Sequence, residues 1–432
     1  MILDSWYVIR IELLHKKKLA LFGQFLFDNI KPTQFYFNLL LTLIIVEIFR
    51  LPGKYLSLKE IKNGKSQRAC LAAHFFPYTD TSFVIGSLQE TDRKKVVLLK
   101  LSVLDQSVIP KGGQASRTLH ETVQLAQITE ELGFTRFWVA EHHNTNGLAG
   151  ISPEVLIAHI ASNTKRIRVG SGGILLPQYS PYKVSENFKV LEALFPNRID
   201  LGVGRSPGGS LPTRLALTDG IKKSLNEFPR QIKDLQGFLY NDLPKEHSYY
   251  DVMTSPFTDS VPQMWILGVT QRGGRIAAEN GTAFTYGHFI TPVEGQETIE
   301  YYFTNFQPSR FLSKPKVNVC IFVVCASSQE KAEELALSQD LWLLAVENKV
   351  REDTRIPSVA EAKSRLLTAE ERVRVQENRK RMIIGTPKKV RDEILRVSEL
   401  YRTEEFMIIT NIYDFQEKIQ SYTLLAEAFQ LA

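Results

Sequence analysis

The sequence predicts a (β/α)8 barrel with insertions, that is, a TIM barrel, preceded by an N-terminal extension of uncertain fold. Two observations support this fold class. From residue 98 to the C-terminus, short apolar runs alternate with amphipathic segments in eight strand-then-helix units. Polar residues and glycines follow nearly every apolar run, where the strands of such a barrel open on one face. A doubly wound parallel sheet is the alternative, because it also alternates strands and helices.

The strand candidates are apolar on both faces, as parallel strands covered by helices are. They are Leu98–Leu104, Arg136–Ala140, Ile167–Ser171, Ile199–Val203, Gln263–Leu267, Ala283–Tyr286, Val317–Val324 and Glu405–Thr410. The helix candidates are Thr118–Leu132, Pro153–Asn163, Pro181–Leu194, Asp219–Leu239, Arg272–Glu279, Val293–Phe306, Gln329–Val346 and Asp414–Phe429. Ser152 before Pro153 and Ser180 before Pro181 are typical helix starts. Two regions exceed a minimal barrel, Ser206–Pro262 and Val346–Ile383, and we expect the second, which is long and charged, to form a mobile lid.

Residues 1–97 differ from the predicted barrel domain, residues 98–432. The first 100 residues carry 15 Lys and Arg against 8 Asp and Glu, whereas residues 101–432 carry 38 against 39. The net charge of +6 therefore comes from the N-terminal segment, and the predicted barrel has no excess of positive charge that would attract nucleic acid. The apolar run Phe35–Phe49 is shorter than the roughly twenty residues that cross a bilayer. It is a weak membrane anchor, a small helical extension or translated upstream sequence, and the lack of clear caps and turns in residues 51–95 favours the last.

The three cysteines, Cys70, Cys320 and Cys325, suit neither a disulfide framework nor a zinc site. They indicate reduced, buried thiols in a cytoplasmic protein. Cys320 and Cys325 are an odd number of residues apart on one strand candidate, so we expect them on opposite faces.

The second strand candidate ends in Glu141, His142 and His143. Adjacent side chains in an extended segment diverge, so these residues make poor chelators and we predict no metal site. Acid–base or hydrogen-bonding roles fit better, and a histidine that only tethers its own loop is the alternative.

The fourth and fifth strand candidates end in groups that suit one phosphomonoester. Arg205 follows the fourth strand, and a guanidinium binds phosphate bidentately. Val269 and Thr270 follow the fifth strand and lead into a helix, whose first N–H groups bind anions. After the third strand, Gly172-Gly173 allows a flat ligand to approach closely, although a simple turn is the alternative. The stretch GVGRSPGG has Pro207 in place of a third glycine, so a dinucleotide fold is weakly supported.

From about Lys100 onward the chain resembles the bacterial luciferase-like family of flavin-dependent monooxygenases. The resemblance rests on KLSVLDQS, FWVAEHH, RVGSGGILLPQYSPYKVSENFKVLEALFPNRIDLGVGR, WILGVTQRGGRIAAENG and IIGTPKKV, in this order. It implies a barrel that binds FMN at its C-terminal face, receives the reduced form from a separate flavin reductase, and uses oxygen to oxidise a small organic molecule. A homodimer is expected by analogy, and no membrane or nucleic-acid partner is expected.

The resemblance also implies roles for single residues. His142 matches a catalytic histidine next to the flavin, and the Gly172-Gly173 peptide matches a non-proline cis peptide beneath the isoalloxazine ring. Arg205 matches a phosphate-binding arginine, and Val269, Thr270 and Gly273 match the phosphate loop.

Two residues depart from the family pattern. Gly273 stands where the family usually supplies a hydroxyl group to the phosphate, and Gly204 replaces a reactive cysteine, which argues against a light-emitting reaction. Two other functions therefore stay open: hydride transfer with the deazaflavin F420 on the same fold, and flavin binding without catalysis.

Overall fold

The structure is a computed structural model, and it describes residues 99–347 and 353–431. The predicted extension, residues 1–97 with the apolar run Phe35–Phe49, lies outside the described residues.

In the described part of the chain, parallel strands close into a barrel. The strands are β1 (Lys100–Asp105), β2 (Arg136–Val139), β3 (Arg168–Ser171), β4 (Ile199–Gly204), β5 (Gln263–Gly268), β6 (Ala283–Gly287), β7 (Val317–Cys325), β8 (Met382–Gly385) and β9 (Glu405–Ile409). The sheet order is β6-β5-β4-β3-β2-β1-β9-β7, and the pairing of β6 with β7 closes the ring. The predicted (β/α)8 barrel is confirmed, and closure excludes the doubly wound alternative because that sheet has two free edges.

Helices cover the outside of the barrel. They are α1 (Ala115–Glu131), α2 (Pro153–Ser162), α3 (Pro181–Leu194), α4 (Leu211–Leu217), α5 (Phe228–Tyr240), α6 (Gln271–Glu279), α7 (Gly295–Asn305), α8 (Gln329–Glu347), α9 (Val359–Ser364), α10 (Ala369–Arg379), α11 (Pro387–Tyr401) and α12 (Phe415–Phe429). As predicted, α2 and α3 begin at Pro153 and Pro181. The preceding serines are their N-cap residues, but neither serine side chain accepts a capping hydrogen bond.

The predicted helix Asp219–Leu239 is wrong in its first part. Asp219 and Gly220 have positive φ angles of 50° and 79°, a left-handed conformation that a helix does not continue through. A short helix, α4, precedes this turn, and α5 begins only at Phe228.

The region Val346–Ile383 contains more regular structure than predicted, and β8 and α11 after it were not predicted at all. Helices α9 and α10 pack against α8, and β8 pairs with Phe322–Cys325, the last residues of β7, outside the eight-strand closure. The sequence does carry a start signal for α11, since Thr386 directly precedes Pro387. In the structure the Thr386 hydroxyl caps the helix by accepting a hydrogen bond from the backbone N–H of Lys389.

Two described residues of the predicted lid, Thr354 and Ile356, are hydrogen-bonded to loops that follow barrel strands. Thr354 N–H donates to Asn146 Oδ1 over 3.0 Å, and its hydroxyl lies 2.7 Å from that of Thr145. The N–H of Ile356 donates to the carbonyl of Ile109 over 3.0 Å. The residues therefore border the loops after β1 and β2, whereas movement of this region stays a prediction.

Apolar side chains fill both sides of the barrel wall. An outer cluster lies between strands and helices, and an inner cluster surrounds Trp138 and Trp265, whose rings meet edge to face with centroids 5.4 Å apart. Cys320 belongs to the inner cluster and Cys325 to the outer one, and both thiols are free and buried. The prediction that they lie on opposite faces is confirmed.

Buried charges close the N-terminal end of the barrel. Arg136 Nη1 lies 2.7 Å from Asp200 Oδ2, and its Nε lies 2.5 Å from Glu405 Oε1. Asp200 also pairs with Arg168 over 2.6 Å and accepts a hydrogen bond from Trp138 Nε1 over 3.0 Å. Burial acts to raise the pKa of Asp200, but the two arginines outweigh it and the pKa is lowered. This end is therefore packed shut, and ligands must enter at the other end.

No helix in the described ranges is long and apolar enough to cross a membrane.

Candidate active site

The C-terminal ends of the strands surround a cavity of about 600 Å³, a typical size for a cofactor or small-molecule site. Its inner wall is apolar and includes Leu104, Trp138, Leu267 and Met407. All the residues that the sequence predicts as site residues border this one cavity: His142, Gly172, Gly173, Arg205, Val269, Thr270 and Gly273. The structure thus brings them together, while the contacts assigned to them with a cofactor stay predictions.

Arg205 follows β4 and contributes an unpaired positive charge to the cavity. Its side chain is half-buried, and it forms no ion pair or hydrogen bond with any residue in ranges 99–347 and 353–431. A guanidinium group that was fully buried would almost always be paired, whereas a half-buried one can stay unpaired because solvent still reaches it. An unpaired guanidinium in a cavity wall is therefore free to bind an anionic group of a ligand.

The start of α6 adds further positive potential beside β4. Thr270 is the N-cap residue of this helix, and no side chain caps it. The N–H groups of Gln271 and Arg272 therefore have no acceptor among the described residues, whereas the N–H of Gly273 already donates to the carbonyl of Thr270 over 2.9 Å. Arg272, in the first turn, also borders the cavity and has no ion-pair or hydrogen-bond partner among the described residues. Strands β4 and β5 pair along five residues, so Arg205 and the start of α6 follow adjacent strands.

The glycines at the cavity differ in the space that surrounds them. The Gly172-Gly173 peptide is cis, as the resemblance implies. A Cβ at Gly172 would lie 2.6 Å from Leu104 Cδ1, and one at Gly173 would lie 2.7 Å from the carbonyl oxygen of Gly202. At Gly173 a side chain would therefore collide with the backbone of β4, and at Gly172 it would press on Leu104, while both glycines border the cavity. The expectation that they allow a flat ligand to approach closely stays a prediction. Gly204 is the glycine that leaves room, because nothing lies within 4 Å of its Cβ position.

Gly273, where the family usually has a hydroxyl group, is explained by close packing. A Cβ here would lie 3.0 Å from the Cα of Gly268 at the end of β5. A side chain at position 273 would thus press α6 away from the strand. Arg272, one residue earlier, offers a positive charge to the same part of the cavity.

His142 lies in the cavity without a hydrogen-bond partner among the described residues. More than a third of its surface faces the open cavity, while protein surrounds the rest of the ring. Burial, and to a lesser degree the neighbouring His143, lowers the pKa of His142 far below its usual value. The imidazole is therefore neutral near pH 7 and can accept a proton or a hydrogen bond.

His143, the next residue, is held by a buried network. Its Nε2 lies 2.7 Å from Glu141 Oε1, which also accepts a hydrogen bond from the Tyr179 hydroxyl over 2.5 Å. Glu141 Oε2 accepts the backbone N–H of Leu175 over 2.8 Å. The Glu141 oxygens are thus engaged with protein donors. In the described ranges no group of three His, Cys, Asp or Glu side chains is arranged to hold a metal ion.

Sequence reasoning missed three residues of this site. Arg272 lies within a helix start that was recognised, and its charge was the available signal. Tyr179 and Thr285 carried no local signal. Tyr179 reaches Glu141 across 38 residues, and the Thr285 hydroxyl is buried in the cavity wall without a hydrogen-bond partner among residues 99–347 and 353–431. Only the folded chain brings these groups to the strand ends.

The family model for luciferase-like monooxygenases matches residues 99–404. The chain belongs to this family. The match covers seven of the eight barrel strands and all the predicted site residues, and ends just before β9, so the expected family is confirmed.

Two relatives from Bacillus subtilis (strain 168) illustrate the match. YceB is 50% identical over 332 residues, which are 77% of this chain and all of YceB. An N-acetyl-S-alkylcysteine monooxygenase is 36% identical over 333 residues, which are 77% of this chain and 98% of the relative. Family and relatives together support an oxidoreductase.

Solved structures have the same fold. Apo-MsnO8 is 33% identical, has a TM-score of 0.68, and the match covers 77% of this chain and 99% of MsnO8. The oxygenating constituent of 3,6-diketocamphane monooxygenase from Pseudomonas putida, in complex with FMN, matches at 17% identity and a TM-score of 0.56, over 76% and 97% of the chains. An F420-dependent secondary alcohol dehydrogenase matches at 14% identity and 0.53, over 77% and 99%. One of these structures of the same fold thus contains FMN and another contains an F420 adduct.

Proposed function

We propose that this protein is a flavin-dependent monooxygenase that uses reduced FMN and O2 to oxidise a small organic substrate. The observation that carries the proposal is the pair of unpaired guanidinium groups, Arg205 and Arg272, beside the uncapped start of α6 at the mouth of the cavity. A phosphomonoester carries nearly two negative charges, which this arrangement can neutralise. A separate flavin reductase, a homodimer and a cytoplasmic location belong to the same proposal.

The residues of the chain fit such a cofactor in three respects. Arg205, Arg272 and the N–H groups after Thr270 would hold the phosphate. The open space at Gly204 and the apolar wall at Leu104, Trp138 and Met407 would take a flat ring system and exclude water. The unpaired hydroxyl of Thr285 offers a hydrogen bond from the inner wall. When bound, reduced FMN supplies the electrons that activate O2.

His142 has the properties of a residue beside the reacting groups. It is neutral near pH 7 and has no hydrogen-bond partner in the part of the chain that the structure describes. It can therefore accept a proton or orient a polar group in the cavity. The chain orients the reactants and keeps the site dry, while the cofactor performs the oxygen chemistry.

The first experiment is a titration of the purified protein with FMN under air and with reduced FMN without oxygen. We expect Arg205→Ala to lower the affinity for FMN roughly tenfold to a hundredfold, because a charge-assisted contact to phosphate is lost. Riboflavin has no phosphate, so its affinity should not change. Arg275→Ala is the matched control, since Arg275 lies on the outer face of α6, more than half exposed and outside the cavity.

The outcomes separate the competing functions. Unchanged FMN affinity in Arg205→Ala would contradict the site. Binding of F420 in preference to FMN, with hydride transfer and no O2 consumption, would favour the deazaflavin alternative. Tight FMN binding without substrate-dependent O2 consumption would indicate a flavin-binding protein without catalysis. Since one relative is an N-acetyl-S-alkylcysteine monooxygenase, thioethers of this type are the first substrates to assay.

A further inference from the structure

We propose that His143 is a second proton-carrying residue of the cavity, positioned by the carboxylate of Glu141 and the hydroxyl of Tyr179. The inference rests on the proposed function, because it assigns a role in that reaction. The resemblance points to His142, whereas the hydrogen bonds of the structure point to its neighbour.

The geometry determines which nitrogen of His143 carries the proton. Glu141 is an acceptor toward the backbone N–H of Leu175 and the hydroxyl of Tyr179, at 2.8 and 2.5 Å. The Nε2 of His143, 2.7 Å from Glu141 Oε1, therefore donates to the carboxylate. In the neutral ring the other nitrogen, Nδ1, then has the free lone pair. Nδ1 has no partner among the described residues, and His143 borders the cavity.

Tyr179 acts as a fixed donor in this network. Burial first, and then Glu141 and Glu154, raise the pKa of its hydroxyl, so it keeps its proton at all working pH values. Its oxygen also lies 3.4 Å from His143 Nε2. The hydroxyl thus holds the carboxylate in the orientation that the imidazole needs, in the way that an outer carboxylate orients a catalytic histidine.

Several charged and titratable groups lie near His143, and the cavity that it borders is also lined by Arg205 and Arg272. Glu141 lies against its Nε2, His142 is the adjacent residue, and Tyr179 lies beyond the carboxylate. Glu154 of α2 interacts electrostatically with Glu141 and Tyr179, and burial raises its pKa. The side chain of Glu141 is only 1% exposed, so its charge is weakly screened and can stabilise an imidazolium at position 143.

The proposed reaction moves hydrogens between groups inside the cavity, which gives a proton carrier a role. In the balanced reaction, reduced FMN, O2 and the substrate give FMN, the substrate with one added oxygen atom, and water. The reduced flavin provides both electrons and both hydrogens of that water. A group in the dry cavity that takes up a proton and returns it within each turnover can speed these transfers without changing the balance. His143 does this at Nδ1 with no net gain or loss of protons, while Glu141 compensates the transient positive charge.

The arrangement can be tested first in the protein without cofactor. Nitrogen-15 NMR of the histidine side chains reports which ring nitrogen carries the proton. We expect His143 to be protonated at Nε2 in the wild type, and Glu141→Gln to abolish this preference. A wild-type ring protonated at Nδ1 would overturn the proposal, whatever cofactor the protein uses. His159→Gln on α2 is the control: His159 is exposed and outside the cavity, so its removal should leave the His143 signal unchanged.

The second test is the rate at which O2 oxidises bound reduced FMN, measured by stopped flow across a range of pH. We expect His143→Gln to bind FMN within about twofold of wild type but to react roughly a hundredfold to ten-thousandfold more slowly and to lose one limb of the pH profile. Free imidazole should restore part of the rate in His143→Ala. A rate and pH profile equal to those of the wild type would refute the role, and His159→Gln should match the wild type.

A gentler variant keeps the test decisive if the His143 variants do not fold. Tyr179→Phe removes one hydrogen bond from Glu141, which leaves its negative charge less compensated. The pH limb should then move to higher pH, and an unmoved limb would count against the proposal. If the wild type fails to bind FMN at all, the proposed function fails, while the NMR result still decides how Glu141 orients His143.

Discussion

The two ends of the barrel both carry arginines, but only one end neutralises them. At the N-terminal end, Arg136 and Arg168 share the buried carboxylate of Asp200, and Arg136 also pairs with Glu405. At the C-terminal end, Arg205 and Arg272 border an open cavity and have no partner among the described residues. The same chemical group thus stabilises the fold at one end and is available to a ligand at the other.

Burial explains the difference. Arg136 is 3% exposed, and a guanidinium so far from water must be paired because its desolvation costs several kcal/mol. Arg205 keeps contact with solvent through the cavity, so it can stay unpaired until an anion arrives. Removal of a charged group at the N-terminal end should therefore lower the stability of the fold, whereas removal of a charged group at the C-terminal end should weaken ligand binding.

The largest effect is expected for Asp200→Ala. The substitution leaves Arg136, Arg168 and the indole N–H of Trp138 without their shared acceptor, so the free energy of unfolding should fall by about 3–5 kcal/mol. Urea denaturation of the cofactor-free protein measures this. Arg205→Ala in the same assay should stay within about 0.5 kcal/mol of wild type. If the two variants lose similar stability, the contrast between the ends is wrong.

A smaller contrast is expected within a single strand. Two glycines of β4 differ in what surrounds them: a Cβ at Gly202 would lie 2.1 Å from the carbonyl oxygen of Ser171, whereas a Cβ at Gly204 meets nothing within 4 Å. Gly202→Ala should destabilise the fold by about 1–3 kcal/mol through overpacking. Gly204→Leu should leave stability nearly unchanged but fill the cavity and weaken FMN binding at least tenfold. Normal FMN affinity in Gly204→Leu would show that the ring system does not bind in this part of the cavity.

The smallest effect concerns pH. His288, after β6, is buried with its Nδ1 2.8 Å from the Tyr401 hydroxyl; burial and then Arg396 lower its pKa to about 4. Since this is below the unfolded value of about 6.5, stability is full above pH 6.5 and declines as the pH falls from 6.5 toward 4. The lowered pKa of Asp200 instead places its loss of stability below about pH 3.9.

Urea denaturation between pH 4 and 7 separates these two contributions. His288→Gln should make the decline between pH 6.5 and 4 shallower but not abolish it, because the lowered pKa of His142 contributes in the same range. His159→Gln, with an exposed ring, should leave the decline unchanged. An unchanged decline in His288→Gln would assign it to other groups.

Much of this architecture could be predicted from the sequence. The eight barrel strands were predicted to within two residues at each end, because parallel strands covered by helices are continuous apolar runs. The short strand β8 was missed because it lies outside the eight strand-then-helix units, and its partner Phe322–Cys325 lies about sixty residues earlier. The site residues were recognisable because the strand ends of a closed barrel meet on one face.

The sequence by itself determined the alternation of strands and helices and the polar residues that follow each strand, since both depend on local periodicity and position. Only the tertiary structure decided which arginines are paired, which glycines leave space and which histidine is oriented. Arg136 meets Asp200 across 64 residues and Glu405 across 269, and Glu141 meets Tyr179 across 38. Such contacts depend on how the barrel closes, and no local pattern encodes them.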